Sequence, residues 1–355
     1  MKILMYSFRS LKPKALKSFL WFIWRIGLVA LAGLLVSCDN PLDQNKNNIN
    51  IPSEDRLPVS ISVPGPPANW LTLIAVEKGF FSREGLDITP KPYPSGKRAL
   101  KGMFAGEVDL VTTAKVPIVF SSFDRQDFSI LATLGSTDNS PKVVARMDHG
   151  IQERKDLKGK RIATQGGSSA HFFLNSFLTK NRLLKSEVEI IFGKVEKLPE
   201  MISEGKVDAV ATREPYIVQS WKLLGDRAVI FEEPGLFSKS FNLVAFNSFI
   251  ENNPKIIRRA LRGLLKAEEF VRDHPDQAVR VLAEKLKLPE ARVVKVLKLV
   301  KLSVHLDESL LPGLEAQARW AIENNLKEGE ILNYLDFINP GPLKSILPEA
   351  VSLVR

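Results

Sequence analysis

Gly106-Glu107-Val108-Asp109-Leu110-Val111-Thr112-Thr113 and Gly205-Lys206-Val207-Asp208-Ala209-Val210-Ala211-Thr212 are one phrase written twice, 99 residues apart. Each runs from a glycine through an aspartate into a short apolar stretch that ends on hydroxyls, as a buried strand would. Working outward, the first copy follows an alternating strand at 59–63, the turn Pro64-Gly65-Pro66-Pro67, a helix over 70–81, a strand at 86–90 and a helix over 98–105. The second copy follows Ile162-Ala163-Thr164, the turn Gly166-Gly167-Ser168-Ser169 and a helix carrying Phe172, Phe173, Leu174, Phe177 and Leu178. A strand at 188–192 and a short helix at 199–203 complete it. The first strands are 101 residues apart, so the offset holds across the whole β-α-β-α-β series. Such constancy predicts two similar α/β lobes. The alternative of one long dinucleotide-type sheet would need Gly-x-Gly-x-x-Gly after the first strand, and none is present.

Past Phe231, a strand at 242–246 leads into helices. Asn253-Pro254 reads as an N-cap with proline at the first helical position. Ile257, Ala260, Leu261, Leu264, Leu265 and Phe270 then form an apolar stripe, and a further helix starts near Pro275. This tail needs a surface to cover, and the first lobe is its natural partner. The expected division is 1–37 leader, 38–57 tether, 58–147 first lobe, 148–242 second lobe and 243–355 return to the first lobe. The chain would cross between lobes near 140–150 and 235–245.

Composition is that of a packed globular protein, with 355 residues, 45% hydrophobic and 25% charged. The formal charge of +10 suggests a polyanion partner, but six of the 50 basic residues (Lys2, Arg9, Lys12, Lys14, Lys17 and Arg25) fall in the first 38 residues, which hold no acid. The remaining 44 bases face 40 acids, so nucleic acid is not an expected partner. The same basic start precedes an apolar run at 26–36 that is short for a bilayer span and suits a secretory signal. Leu35-Val36-Ser37-Cys38 resembles the lipobox of bacterial lipoproteins, which implies cleavage before Cys38 and its lipidation. Asp39 resembles the signal for retention on an inner membrane. More than one acyl chain would anchor the protein stably. Asn-rich sequence to residue 57 would then be a tether. Cys38 is the sole cysteine, so neither a disulfide framework nor a cysteine zinc cage is available.

Several pieces, taken in order, are similar to type II periplasmic binding proteins of the nitrate, sulfonate, taurine and thiamine-precursor group. They are Lys78-Gly79-Phe80-Phe81, Glu84-Gly85-Leu86-Asp87, Gly106-Glu107-Val108-Asp109, Asp156-Leu157-Lys158-Gly159-Lys160, Gly167-Ser168-Ser169, Asp208-Ala209-Val210, Glu214-Pro215-Tyr216 and Asn252-Asn253-Pro254, with a late helix holding Trp320. The resemblance covers about residues 59–345 and is specific to the superfamily more than to a ligand. It implies a two-lobe α/β fold with a hinge and a central cleft. It also implies an extracytoplasmic binding protein, monomeric, that passes a small solute to the permease and ATPase of an ABC importer and needs no cofactor. A thiamine-pyrimidine precursor as ligand, or a sensor partner in place of an importer, stays open.

Ligands of open α/β sheets lie outside the carboxyl ends of the strands. The first lobe offers there Asn69 and Trp70, then Thr112, Thr113 and Lys115; the second offers Gly167, Ser168, Ser169 and His171, then Arg213 and Glu214. Gly167-Ser168-Ser169 stands between a strand and a helix start, whose free N–H groups favour an oxyanion or carboxylate. The same serines could simply cap the helix. Thr112, Thr113 and Lys115 would supply hydroxyls and a cation from the facing wall. Trp70 could stack on the ligand or close the core, His171 could touch ligand or pack, and Arg213-Glu214 could pair with each other or across the cleft.

Catalytic alternatives are weak. Gly166-Gly167-Ser168-Ser169-Ala170 lacks the last glycine of a nucleophile elbow, and no oxyanion-loop motif accompanies it. His149, His171, His274 and His305 have no metal-ligand spacing, so no metal site is expected. The cytosolic branch of the resembled fold that makes the thiamine pyrimidine carries a cysteine-rich motif, which this chain lacks.

Overall fold

The repeated aspartate has a structural reason. In the computed structural model, which describes residues 52–353, Asp109 Oδ2 accepts from the backbone N–H of Ser60 at 2.8 Å and from its hydroxyl at 2.6 Å. Asp208 Oδ2 accepts from the backbone N–H of Arg161 at 2.8 Å, and the Arg161 guanidinium closes over the same carboxylate. In each lobe the aspartate ties the start of the phrase to the first strand, which lies next to it in the sheet. Burial opposes the charge on Asp208, but bonds from Arg161 and His149 outweigh it and hold the carboxyl far below its usual range. The leader (1–37), Cys38 and the tether as far as residue 51 lie outside the described residues.

The first sheet is built from β1 (Leu57–Pro64), β2 (Leu86–Tyr93), β3 (Val111–Thr113), β4 (Phe128–Thr137), β10 (Lys239–Phe246) and β11 (Lys301–His305). β1 and β2 pair in parallel, β1 is bridged to Leu110 just before β3, and the order continues β3-β10-β4-β11. The second sheet has the order β7-β6-β8-β5-β9, from β5 (Lys142–Arg146), β6 (Arg161–Thr164), β7 (Glu189–Phe192), β8 (Ala209–Thr212) and β9 (Ala228–Phe231). Its β6 is parallel to β7 and β8, repeating the neighbourhood of β1 in the first sheet. The fold is the expected two-sheet α/β arrangement.

Two boundaries move. β5 belongs to the second sheet, so the first crossing lies before Lys142 and not at 147. β10 belongs to the first sheet from Lys239 onward, three residues ahead of the expected strand and ahead of the expected boundary at 242. Ser238-Lys239-Ser240 is too polar to read as a strand, yet Lys239 and Ser240 are held in register by Thr137 and Ser136 of β4.

Helices flank both sheets. In the first lobe these are α1 (Trp70–Glu77), α2 (Phe80–Arg83), α3 (Gly96–Phe104) and α4 (Lys115–Ser122). The expected helix over 70–81 is interrupted because Gly79 takes a left-handed φ of 67° and restarts the chain as α2. The second lobe has α5 (Ser169–Lys180), α6 (Leu198–Ser203) and α7 (Tyr216–Leu224). The return carries α8 (Asn247–Asn252), α9 (Pro254–Asp273), α10 (Pro275–Leu286), α11 (Glu290–Leu297) and α12 (Leu310–Glu323). Pro254 does open α9, but Asn253 caps nothing there, since its amide donates back to Phe249 O.

The cores follow the sheets. Ile61, Trp70, Ile74, Leu243, Leu261 and Leu264 share one cluster, so α9 covers the same apolar surface as α1. The second sheet is apolar on both faces. Val143 and Ala145 point to the cluster of Ile162, Phe173 and Phe177, and Val144 points to that of Ala163, Val210 and Ile217. This alternation is the two-residue period of β5 read out by helices on each side.

Candidate functional site

The carboxyl ends of the two sheets face one another and their walls touch. Arg213, just past β8, donates to Pro94 O at 2.6 Å, and Tyr216 Oη lies 3.2 Å from the same carbonyl. Lys97, in the first turn of α3, donates to Gly166 O. Between these contacts lies a cavity of about 40 Å³ lined, among others, by Gly65, Gly96, Lys97, Thr112, Thr113, Ser168, Ser169, Thr212, Arg213, Lys239 and Phe241. Three of its lining side chains are cations and none is a carboxylate.

The local sequence explains how each group arrives there. β3 ends on Thr112-Thr113 and β8 on Thr212, the two copies of the repeated phrase. All three threonines are buried, and none of their hydroxyls has a hydrogen-bond partner. Gly96 must lack a side chain, because a Cβ there would fall 2.8 Å from Thr113 Oγ1. Ser95 Oγ accepts from Arg98 N at 3.2 Å and so starts α3, which places Lys97 at the cavity wall.

Lys239 is 6% exposed, and its ammonium lies 5.2 Å from the centre of the Phe241 ring. No described carboxylate pairs with it. Burial, with the nearby Arg213 charge adding to it, holds its pKa well below that of a free lysine. Arg213 is half-buried; besides Pro94 O its guanidinium reaches Glu214 O at 2.9 Å, and burial lowers its pKa too. Charges held in this way are costly unless something neutralises them. The arrangement suits an anion.

The expected site residues separate into two groups. Thr112, Thr113, Ser168, Ser169 and Arg213 line the cavity. Ser168 is there mainly as a cap: its hydroxyl donates to Gln165 O at 2.6 Å and accepts from His171 N at 3.4 Å. Ser169 has no hydrogen-bond partner for its hydroxyl among the described residues and opens α5 at the cavity wall.

Asn69, Trp70, Lys115, Gly167, His171 and Glu214 do not line it. Trp70 is 1% exposed within the first-lobe core, and Asn69 is buried beside it. Lys115 opens α4 but its ammonium lies against Gly313 of α12, where even a Cβ would collide. The expected cation from the first-lobe wall is therefore a different residue. Gly167, at φ 58°, faces Phe120 and Lys97, so its missing side chain permits contact between lobes and not the approach of a ligand. His171 packs edge-on between Phe192 and Trp320, at 4.8 and 5.0 Å between ring centres. Its Nδ1 accepts from Gly167 N at 3.4 Å, and burial brings its pKa down to about 4. Glu214 turns away from Arg213 and pairs with Arg292 of α11 at 2.9 Å.

Lys239 and Lys97 were not read from the sequence. For Lys97 a signal existed, since Ser95-Gly96-Lys97 stands between a strand and a helix just as Gly167-Ser168-Ser169 does. For Lys239 there was none, because its position depends on pairing with β4 more than 100 residues earlier.

A fold of two such sheets facing across a cleft and joined by two crossings is the periplasmic-binding-protein fold. The alkanesulfonate-binding protein SsuA from Xanthomonas axonopodis pv. citri, solved bound to MOPS, shares it with a TM-score of 0.68 at 20% identity, over 79% of this chain and 97% of that one. The desulfurization enzyme DSZB shares it with a TM-score of 0.61 at 17% identity, over 83% of this chain and 99% of that one. The chain belongs to the NMT1/THI5-like family, which it matches over residues 69–278. Among curated relatives, a putative aliphatic sulfonates-binding protein of Bacillus subtilis is 29% identical over 64% of this chain and 69% of its own length.

Proposed function

We propose that this chain is the extracytoplasmic solute-binding component of an ABC importer, anchored by lipid on Cys38, and that it captures a small anion between its lobes. The observation that carries the reading is the cavity at the strand ends, with three cationic side chains and no acid on its walls. Partly shielded from water, such charges act more strongly on an anion than they would on the open surface. Support comes also from the relatives named for aliphatic sulfonates, in Bacillus subtilis and in Escherichia coli. A neutral or cationic pyrimidine is a poorer match to these walls.

Binding works by population shift. A ligand that touches both walls favours the closed arrangement of the lobes, and the importer recognises that shape. The chain is read as a binder without turnover: the Ser168 hydroxyl is committed to Gln165 O, and the neighbouring His171 Nδ1 is occupied by Gly167 N–H. Ser168 and His171 are therefore not paired as nucleophile and base.

A thermal-shift screen of the full chain against sulfonates, nitrate, taurine, carboxylates and thiamine-type pyrimidines tests the reading, because a specific ligand raises the melting temperature by mass action. The expected result is stabilisation by an anion, recovered chemically unchanged. Turnover of the ligand, or stabilisation by pyrimidines alone, would overturn it. Cys38→Ser should release the protein from membranes or leave it unprocessed.

A further inference from the structure

We propose that Trp320 is a clasp between the two lobes: with His171 and Phe172 it forms an aromatic contact that favours the closed arrangement without any ligand. The inference rests on the binding-protein reading only for its effect on ligand affinity; the clasp itself is a property of the lobes.

Trp320 lies on α12, whose Leu314 and Ala318 are part of the first-lobe core. Its own ring does not join that core. It belongs to a separate apolar cluster with Val116 and Ala321, against which Phe120 of α4 and Phe172 of α5 pack. Across the lobes the indole meets His171 at 5.0 Å and 76° and Phe172 at 5.1 Å and 86°, both edge to face. On its own side it meets Phe120 at 5.8 Å. Gly167 permits the approach, since a Cβ there would fall 2.9 Å from the Phe120 ring. Trp320 is buried and its Nε1 has no hydrogen-bond partner, so ring contacts are what hold it.

Trp320, His171, Phe172 and Phe120 do not line the cation-lined cavity. Ser168, Ser169 and Ala170 border it, and the next two residues of the same chain segment carry the clasp. The contact therefore needs no ligand, and it fixes the start of α5 against the first lobe. Phe172 also packs on Phe237 at 5.1 Å, in the second crossing two residues before Lys239. His171, Phe172 and Phe237 move with the second lobe, so hinge opening parts them from Trp320.

The polar contacts between the walls do not supply this bias. Arg213 and Tyr216 at Pro94 O, and Lys97 at Gly166 O, exchange a protein partner for water when the lobes part, so their net worth is small. Apolar rings receive no such exchange. At the strength usual for aromatic pairs, two of them across the lobes raise the closed-to-open ratio by about tenfold to a hundredfold. Ligand affinity scales with the fraction of chain that is closed. Trp320 is thus a positioning residue, acting on a ligand it does not touch.

The test is the distance between spin labels on the ligand-free full chain, measured by pulsed electron resonance. Lys91→Cys and Lys194→Cys put one label on each lobe at exposed positions, with Cys38→Ser to leave no other thiol. The parent should show a short, narrow distance. Trp320→Ala should shift most of the population to a longer, broader one, and Trp320→Phe should restore much of the short distance. Phe172→Ala, from the facing lobe, should also lengthen it, and the double variant should open no further than Trp320→Ala alone. Circular dichroism checks folding; if Trp320→Ala does not fold, Trp320→Leu carries the same comparison. An unchanged distance in the folded variant, or a double variant that opens by the sum of the two, overturns the inference. With methanesulfonate as probe, affinity should fall by about tenfold or more in Trp320→Ala, chiefly through faster dissociation; equal affinity also overturns it. Failure of the parent to bind methanesulfonate counts against the anion reading alone, because the distance measurement needs no ligand.

Discussion

Two cavities open between the lobes, and they handle charge in opposite ways. At the carboxyl ends of the strands, Lys97, Arg213 and Lys239 meet no acid. Beside the crossings a larger cavity of about 210 Å³ is lined by Ile217, Val218, Trp221, Val296 and Leu299. There Lys142 is paired with Glu232, and Arg292 with Glu214. Both regions carry charged groups near the cleft, from the buried Lys239 to the exposed Glu232. In one, two ion pairs form, and Arg292 with Glu214 joins the return helices to the second lobe. In the other the charges stay uncompensated, a cost that folding alone gives no reason to keep. The contrast separates a structural joint from the proposed binding site more sharply than exposure or size, since the smaller cavity is the one whose cations meet no acid.

The most severe way to break the contrast is to give the cation-lined cavity its own anion. Ser169→Asp places a carboxylate at the first position of α5, on the cavity wall. Anion affinity should fall by about a thousandfold or more, equivalent to about 4 kcal/mol. The same charge at a helix start should stabilise the fold by about 0.3–1 kcal/mol, so thermal melting and calorimetry should move in opposite directions. Parallel loss of stability and binding would mean that the substitution merely damages the helix.

A second prediction concerns the neutral group at the lobe contact. His171 is held near pKa 4 chiefly by burial, with repulsion from Lys185 and Lys97 adding to it. Its reference value is 6.5. The unfolded chain therefore binds a proton between these values that the folded chain refuses, and stability falls as pH drops from about 6.5 towards 4. The full penalty is about 3 kcal/mol. Denaturant melts of His171→Phe should show a flatter acid limb than the parent. Equal slopes would place the acid sensitivity elsewhere.

The joint beside the crossings should matter less to the ligand. Burial raises the pKa of Glu214 and Arg292 opposes the rise, so Arg292→Met removes the partner that keeps the carboxylate ionised. The expected loss is about 1–3 kcal/mol of stability, recovered in part by Glu214→Gln in the same chain. Anion affinity should change by less than about tenfold. A hundredfold loss would show that the joint governs closure and would blur the comparison. Smallest of all, Ser168→Ala should cost about 1 kcal/mol of stability as a lost helix cap, with little effect on affinity.

Much of the architecture was legible because it is local and periodic. The phrase around Asp109 and Asp208 marked two strands whose aspartates do the same work, and the apolar stripe from Ile257 to Phe270 marked a helix that covers the first core. Gly167-Ser168-Ser169 was read correctly as a helix start, because capping depends only on residues three or four apart.

What the sequence by itself determined, then, is the two α/β lobes, the strand ends that border the cleft, and the hydroxyls of Thr112, Thr113 and Ser169 upon them. Only the tertiary structure decided which charges meet there. Lys115 stands between Ala114 and Val116 and Lys239 between Ser238 and Ser240, and nothing within a few positions of either says which will face the cation-lined cavity. Lys115 is carried towards Gly313 by the packing of α4 on α12, while pairing of β10 with β4 delivers Lys239 to the cavity opposite Arg213. Long side chains take their direction from whatever the distant chain brings beside them, and that information is not local.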